Sequence, residues 1–279
     1  MLPRPRDMRS AWLGVAFVLV LLQPCAAQAR CHLANVRQAD GRYVLGNCDE
    51  LLLHGERIGD AGAEALATAL ATDRRLRLLD LWSNGVGPKG AEALARALEK
   101  NTALQKLYLN ENAVGVEGTK ALAKALTTNR ALLTLWLSRN GLGDAGAEAL
   151  ADVLRGTKAR RLEALDLWGN GISSRGGQAI ARALHSNNGL RTLEMRDNAM
   201  GDETARAFAE MMPQNRALAT LDLVSTGITP TGTQTLLTGL KASIANPCEC
   251  PPHDPRSRRP TRRHARSRVS PRACVDALA

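Results

Sequence analysis

The stretch Leu76-Arg-Leu-Leu79-Asp-Leu81-Trp-Ser-Asn84-Gly-Val86-Gly-Pro-Lys-Gly90-Ala-Glu-Ala-Leu94-Ala-Arg-Ala-Leu98 carries two hydrophobic periods in succession. Leu79 and Leu81 fall two apart, as residues on one side of a strand do. From Ala91 onward the leucines fall four apart with alanine between them, which is a helical period. Alanine is the strongest helix former, and its small side chain lets a helix sit close against a strand. Asn84 stands where one period gives way to the other.

The same unit, L-x-x-L-x-L-x-x-N-x-φ with φ aliphatic, recurs along the chain. It returns at Leu104-Leu107-Leu109-Asn112-Val114, Leu132-Leu135-Leu137-Asn140-Leu142, Leu162-Leu165-Leu167-Asn170-Ile172 and Leu190-Leu193-Met195-Asn198-Met200. Degenerate copies flank the set: Cys48-Leu51-Leu53-Glu56-Ile58 before it and Leu218-Leu221-Leu223-Thr226-Ile228 after it. The starts are spaced by 28 residues, except for 30 between Leu132 and Leu162. So regular a period means a stack of identical units, each unable to bury its apolar face alone. The two extra residues, around Gly156–Arg161, are expected to bulge in a helix-to-strand loop and leave the register intact.

The amide slot has a physical role. Where the chain turns from strand toward helix, interior backbone groups lose their ladder partners, and an inward amide both donates and accepts. Asn84, Asn112, Asn140, Asn170 and Asn198 are therefore assigned to a structural ladder. Glu56 and Thr226 replace Asn only in the outermost copies, where atypical repeats are expected. Asn101, Asn129 and Asn187 sit where helices should end, and a left-handed stop is expected there.

The motif L-x-x-L-x-L-x-x-N-x-φ-G-x-x-G, followed by A-x-A-L-A-x-A-L, resembles the ribonuclease-inhibitor type of leucine-rich repeat. NOD-like receptors and Ran GTPase-activating proteins share that type. The resemblance covers about residues 48–245. It implies an α/β leucine-rich repeat solenoid, a horseshoe of about seven 28-residue repeats with a parallel concave sheet and convex helices. It also implies protein binding. That subfamily is mostly cytosolic, whereas this chain begins with an export leader; Cys31 and Cys48 resemble the disulfide-bonded caps of extracellular repeat proteins.

The leader is basic at Arg4, Arg6 and Arg9, apolar from Ala11 to Leu22, and ends in the small-residue site Ala27-Gln28-Ala29, the pattern of a secretory signal peptide. An uncleaved anchor competes, but the apolar run falls short of the ~20 residues that a span wants. The expected organisation is a signal peptide at 1–29, an N-terminal cap at 30–47, the repeats at 48–245 and a Cys/Pro/Arg-rich disordered tail at 246–279. The expected location is secreted or cell-surface, with the cytoplasm as the alternative. After cleavage five cysteines remain: Cys31, Cys48, Cys248, Cys250 and Cys274. Export makes disulfides their default reading. Cys31 with Cys48 would close one loop, Cys274 would pair with Cys248 or Cys250, and one thiol is left over. Cys248-x-Cys250-x-x-His253 lacks a second ligand pair at zinc spacing, so no metal or cofactor is expected.

The formal charge is +10, but residues 251–279 contribute +6 and residues 1–29 a further +2. A basic nucleic-acid-binding core is thereby excluded, and the charge belongs mostly to the ends. No H-E-x-x-H, no G-x-S-x-G and no phosphate loop with its lysine occurs, so no catalytic residue is assigned.

Register locates the binding face. In L-x-x-L-x-L the leucines point inward, so the residues between and beside them point out from the sheet. Those slots hold Trp82, Tyr108, Trp136 and Trp168 in a chain that is only 3% aromatic. Asp80, Asp166, Glu194 and Asp222 flank them and outnumber Lys106 and Arg196. Trp and Tyr are enriched among residues that dominate interface energy. A protein partner with a basic or mixed surface is therefore expected, engaged by a monomer without enzymatic activity. The alternatives are an adhesive surface protein working through its basic tail, a sugar-stacking surface, and a GTPase-activating regulator if the protein is cytosolic.

Overall fold

The computed structural model describes residues 29–155 and 161–245. Residues 1–28, with Cys25, and residues 246–279, with Cys248, Cys250, Cys274 and the Arg-rich segment, lie outside those residues, as do residues 156–160 of the bulge expected around Gly156–Arg161.

Short strands alternate with helices. β1 (Arg30–Cys31) and the single-turn α1 (Leu33–Val36) precede seven strand–helix pairs: β2 (Glu50–Leu52) and α2 (Gly59–Thr72), β3 (Leu78–Asp80) and α3 (Pro88–Lys100), β4 (Lys106–Tyr108) and α4 (Gly115–Leu126), β5 (Thr134–Trp136) and α5 (Gly143–Leu154), β6 (Ala164–Asp166) and α6 (Ser174–Leu184), β7 (Thr192–Glu194) and α7 (Gly201–Met211), and β8 (Thr220–Asp222) and α8 (Pro230–Ala245). All eight strands form one parallel sheet in chain order. The register is the one the repeat dictates, Leu79↔Leu107, Leu107↔Leu135, Leu135↔Leu165 and Leu165↔Leu193. The two-residue insertion leaves it unshifted, because Thr134 still pairs with Ala164.

The core is a column of leucines. Leu79, Leu81, Leu107, Leu109, Leu135, Leu137, Leu165 and Leu167 are buried, and Leu94, Leu98, Leu122 and Leu126 meet them from the helices. Neighbouring helices approach closely because a glycine sits in their first turns. A Cβ on Gly118 would lie 2.9 Å from that of Ala91. The one break in that column, Thr204, is accommodated by a second glycine, since a Cβ on Gly177 would meet the Thr204 methyl at 2.7 Å.

At the N-terminal end Arg37 and Tyr43 form an antiparallel bridge, and Val36, Tyr43 and Leu45 are buried against the first leucine layer. Cys31 and Cys48 lie at disulfide distance, with a Cα–Cα separation of 5.8 Å. At the other end the layer is less covered. Leu218, Leu221 and Leu223 are only partly buried, and Val224 and Ile244 are exposed.

The amide ladder runs from coil to coil. Asn112 Nδ2 donates to the carbonyls of Leu81, Leu109 and Asn110, and its Oδ1 accepts from the backbone N–H groups of Asn84 and Val86. Asn140, Asn170 and Asn198 repeat the pattern. Asn84 donates back to Leu53, so the first repeat is served by its neighbour although it carries Glu56 in this slot. Thr226 is buried and its hydroxyl donates to Leu223. The residue just before the slot is left-handed in every repeat: Gly55, Ser83, Glu111, Arg139, Gly169, Asp197 and Ser225 all have φ between 52° and 74°.

The helix-end asparagines differ from expectation. Asn101 is extended (φ −79°, ψ 131°), and neither Asn129 nor Asn187 has a positive φ, so none makes a left-handed stop. They build a second ladder instead. Asn129 Nδ2 donates to the carbonyls of Leu98 and Asn101, and its Oδ1 accepts from the N–H groups of Ala131 and Leu132. Asn101 does the same one repeat earlier and Asn215 three repeats later, while Asn187, two repeats later, donates to the Leu154 carbonyl and accepts from the N–H groups of Gly189 and Leu190. The helix-to-strand corner therefore has its own amide, buried like the first. A third device caps helices. Asp60 accepts from the N–H groups of Gly87 and Gly90, Asp144 from Ser173 and Gly176, and Asp202 from Thr229. In each case an acid in the first turn of one helix serves the exposed N-terminus of the next, where a negative charge is favoured.

Candidate binding face

The helices cover one face of the sheet; the other face is open and carries the slots singled out above. Trp82, Tyr108, Trp136 and Trp168 all lie there, half-buried rather than fully exposed. The structure brings them together only in part. Tyr108 and Trp136 stack with centroids 4.0 Å apart and planes 13° from parallel. Trp82 stands with His54 at 4.9 Å. Trp168 has the Arg139 guanidinium 4.5 Å from its ring centre and donates its indole N–H to Asp197 at 2.6 Å. The strip is thus three aromatic stations, and Trp136 contributes to packing as well as to surface.

Arg139 and Asp197 were not among the residues expected on this face. Arg139 and Asp197 occupy the left-handed position before the Asn slot. There the strand alternation has ended, so a period-two reading does not reveal that their side chains turn back onto the open face.

The acids also depart from simple outward exposure. Asp80, Asp166 and Asp222 each use one carboxylate oxygen to accept the N–H two residues on, from Trp82, Trp168 and Val224. This is the short side-chain turn that Asp commonly makes where a strand ends. Asp166, expected to face a partner, is only 5% exposed. Its second oxygen lies 3.4 Å from Asn110 Nδ2. Burial between neighbouring strands explains its position: Trp136 pairs with it on one side and Glu194 on the other.

Asp166, Glu194 and Asp222 stand side by side on β6, β7 and β8. Arg196 Nε approaches Asp222 Oδ2 at 3.1 Å. Burial raises the Asp166 carboxyl above its ordinary range, against hydrogen bonds from the Trp168 N–H and Ser138 and the charge of Arg196, with Asp222 adding to the rise. Burial also raises Glu194, reinforced by Asp166 and Asp222 and opposed by Arg196. Tyr108 is raised by burial and by the nearby Asp80 and Glu50. The face is electrostatically acidic, most of all over its last three strands.

Among the described residues no three His, Cys, Asp or Glu side chains converge closely enough to hold a metal ion. No described helix is long and apolar enough to cross a membrane.

The Leucine Rich repeat family matches residues 74–95, 100–123, 128–151, 159–181 and 186–209. No curated protein matches the sequence. Among solved structures, the leiomodin-1 actin-binding site 2 aligns at 17% identity with a TM-score of 0.38, over 64% of this chain and 88% of that one. The tropomodulin C-terminal domain of Caenorhabditis elegans aligns at 14% identity with a TM-score of 0.46, over 56% of this chain and 94% of that one. Likenesses of this degree bear on neither the partner nor the site.

Proposed function

We propose that this chain, an α/β leucine-rich repeat protein, is a non-enzymatic binding module that holds a protein partner of basic or mixed surface against the open face of its sheet. One observation carries the reading. Of the six aromatic residues of Tyr, Trp and Phe type among the described residues, Tyr43 and Phe208 are buried and the other four lie on this one face. Rigid rings of this kind anchor interfaces at low entropic cost, and acids beside them select a basic partner. The leader and the Cys31–Cys48 pair support export, with a disulfide closing the cap; recovery of the processed protein from the medium rather than the cytosol is the test of location.

The binding test is partner capture by the full chain against a Trp82, Trp136 and Trp168 triple-Ala chain. The single change Trp136→Ala is expected to weaken capture about 30-fold or more, the effect of losing a hot spot of ~2 kcal/mol. It also removes the stack with Tyr108, so a stability loss of about 0.5–1.5 kcal/mol accompanies it. A partner held equally tightly by the triple-Ala chain would overturn the assignment.

A further inference from the structure

We propose that this chain has a second docking surface, away from the open face. It is the pair of helix-to-strand corners between α2 and β3 and between α3 and β4, and its ligand is a sulfated polysaccharide whose anions meet Arg77, Lys100 and Lys106. The inference goes beyond the open-face reading and shares with it only the proposed export.

Charge is segregated along the stack. Between the two ends of the chain the balance is only +2. Yet residues 72–77 and 100–106, which form these two corners, hold Arg74, Arg75, Arg77, Lys100 and Lys106, all exposed, against one acid, Asp73. The opposite edge is where Asp60, Asp144 and Asp202 begin their helices. Hydrogen bonds fix the two corners side by side. The N–H groups of Gln105 and Lys106 both donate to the Arg77 carbonyl, Arg77 Nη1 donates to the Ala103 carbonyl at 2.9 Å, and Asn101 Nδ2 donates to the Asp73 carbonyl. Exposed arginines continue the row in later corners, at Arg130, Arg161, Arg191 and Arg216.

The fold uses only part of this charge. Arg74 donates to the carbonyls of Ala71 and Asp73 at the end of α2, and Arg75 pairs with Asp49 at 3.0 Å. Asp73 is occupied too, since its Oδ1 accepts from the N–H groups of Arg75 and Leu76. A helix C-terminus favours nearby cations. That accounts for Arg74 and Lys100 but not for Arg77 and Lys106, which stand at the start of strands. Lys100 and Lys106 make no side-chain hydrogen bond or ion pair among the described residues, and Arg77 spends one of its five donors. Thr102 and Gln105, between them, make no side-chain hydrogen bond either.

The ligand follows from what the corners offer and what they lack. They contain no aromatic residue on which a base could stack. Their leucines, Leu76 and Leu104, are buried, so no apolar side chain is available to enter a bilayer. What remains is cationic donors with neutral hydroxyl and amide groups between them, suited to a ligand that alternates anions with hydroxyls. The guanidinium fork matches paired oxygens of a tetrahedral anion, and each ammonium acts as a point charge beside it. Neighbouring coils stand about 4.8 Å apart at the sheet, so a linear polymer laid across the stack meets one corner after another. Export, as proposed above, places the chain where such polymers occur.

The experiment titrates full-length protein against a labelled heparin octasaccharide at physiological salt. The corner variant carries Arg77→Gln, Lys100→Gln and Lys106→Gln. A control variant loses the same charge elsewhere through Lys89→Gln, Lys120→Gln and Arg182→Gln. Both are also made in a chain whose eight arginines from Arg256 to Arg272 are changed to Gln, because that segment carries charge of its own. Circular dichroism and Tm verify folding. Lys100→Gln with Lys106→Gln keeps the test available if loss of the Arg77–Ala103 bond unfolds the triple variant. The corner changes are expected to weaken binding about 10-fold in either background, the sum of three exposed charge contacts, and the control changes far less. Equal losses in the corner and control variants would overturn the assignment, as would binding that disappears once the 256–272 arginines are neutralised. Desulfated octasaccharide binding as tightly as the sulfated form would overturn sulfate recognition. A short DNA duplex that binds more tightly, with the same dependence on the corner, would overturn the polysaccharide in favour of nucleic acid. Loss of octasaccharide binding in the Trp82, Trp136 and Trp168 triple-Ala chain would move the site to the open face and overturn this inference. Partner capture on the open face is expected to be unchanged in the corner variant, so the two proposals stand or fall separately.

Discussion

Asn112→Ala is the sharpest probe of the strand-to-helix ladder, and its cost follows from which backbone groups retain a partner. Five hydrogen bonds disappear with the amide. The Leu109 carbonyl still accepts from Asn140, and the Asn110 carbonyl from the N–H of Ser83. The Leu81 carbonyl and the N–H groups of Val86 and Asn84 lose the side chain that serves them. Val86 is fully buried. An orphaned buried group costs ~1–3 kcal/mol. Asn112 is only half-buried, so water reaches part of the corner, and about 3 kcal/mol is expected rather than the threefold sum. For a domain of this size that corresponds to a fall in Tm of about 6–12 °C. Thermal and urea unfolding of the full chain, beside Lys100→Ala, provide the assay; the exposed lysine is expected to change stability by no more than about 0.5 kcal/mol. Asn112→Asp separates the ladder from mere volume. It keeps the acceptor for Asn84 and Val86 but turns a carboxylate oxygen toward three carbonyls, so it should destabilise at least as much as Ala. Matching Tm values for Asn112→Ala and Lys100→Ala, or a neutral Asn112→Asp, would refute the reasoning.

Asn129→Ala should cost about 2–3 kcal/mol, because it strips the N–H groups of Ala131 and Leu132 of their acceptor in a buried corner, while Thr127→Ala on the adjoining surface should stay within about 0.5 kcal/mol. Changing Cys31 and Cys48 to Ser should lower stability by ~2–4 kcal/mol; mass mapping of exported protein that finds both thiols free would contradict the staple. Asp166 has a raised folded pKa, so its carboxylate costs stability above that pKa and the cost fades as pH falls through it. Asp166→Asn should thus be no less stable than the parent at neutral pH, and the difference between them should shift in the parent's favour on acidification, as followed by urea titration at several pH values. Asp144 behaves oppositely: burial alone would raise its pKa, but hydrogen bonds from the Ser173 hydroxyl, the Ser173 N–H and the Gly176 N–H, with Arg175, outweigh that and lower it. Its stabilisation is therefore present above the unfolded value of 3.8 and lost as pH drops through the folded one, and Asp144→Asn should blunt acid unfolding.

The fold was legible because each repeat states it again. One copy of L-x-L followed by A-x-A-L is ambiguous between a strand with a helix and a single amphipathic helix; seven in register are not. The inward amides at Asn84 through Asn198 could be read from the same pattern, since a polar residue at a fixed place among leucines has to satisfy something. The second ladder was hidden. Asn101 and Asn129 stand where a left-handed stop is the commonest use of Asn, and nothing local distinguishes a backbone role from a side-chain role. The difference arises only when the next coil brings the carbonyls of Leu70 and Asp73 within reach of Asn101. The open face was half legible for a similar reason. Alternation places Trp82, Tyr108, Trp136 and Trp168, but it does not show that Asp166 sinks between its neighbours. Nor does it show that the left-handed residue before the slot returns Arg139 and Asp197 to the face.

The polar bookkeeping separates what the fold needs from what it does not. Strand-to-helix corners are closed by one set of amides, helix-to-strand corners by another, and three helix N-termini by Asp60, Asp144 and Asp202. These devices all lie on the side of the leucine column or at its ends, and none depends on the open face. Among the described residues the buried side-chain atoms without a hydrogen bond are Asn110 Oδ1 and Arg196 Nε, the latter held by its ion pair with Asp222, and both belong to that face. Two raised carboxyls, Asp166 and Glu194, lie beside them. A stack that answers its interior polar groups so regularly has no structural use for a buried amide oxygen without a donor beside three acids that share one arginine. Their unmet capacity concentrates over β4–β8, where Trp136 and Trp168 also stand. The coincidence of orphaned acceptor, repelling acids and aromatic rings at one end of an otherwise satisfied solenoid is the physical reason to place a basic ligand there rather than on the Ala-rich helical side.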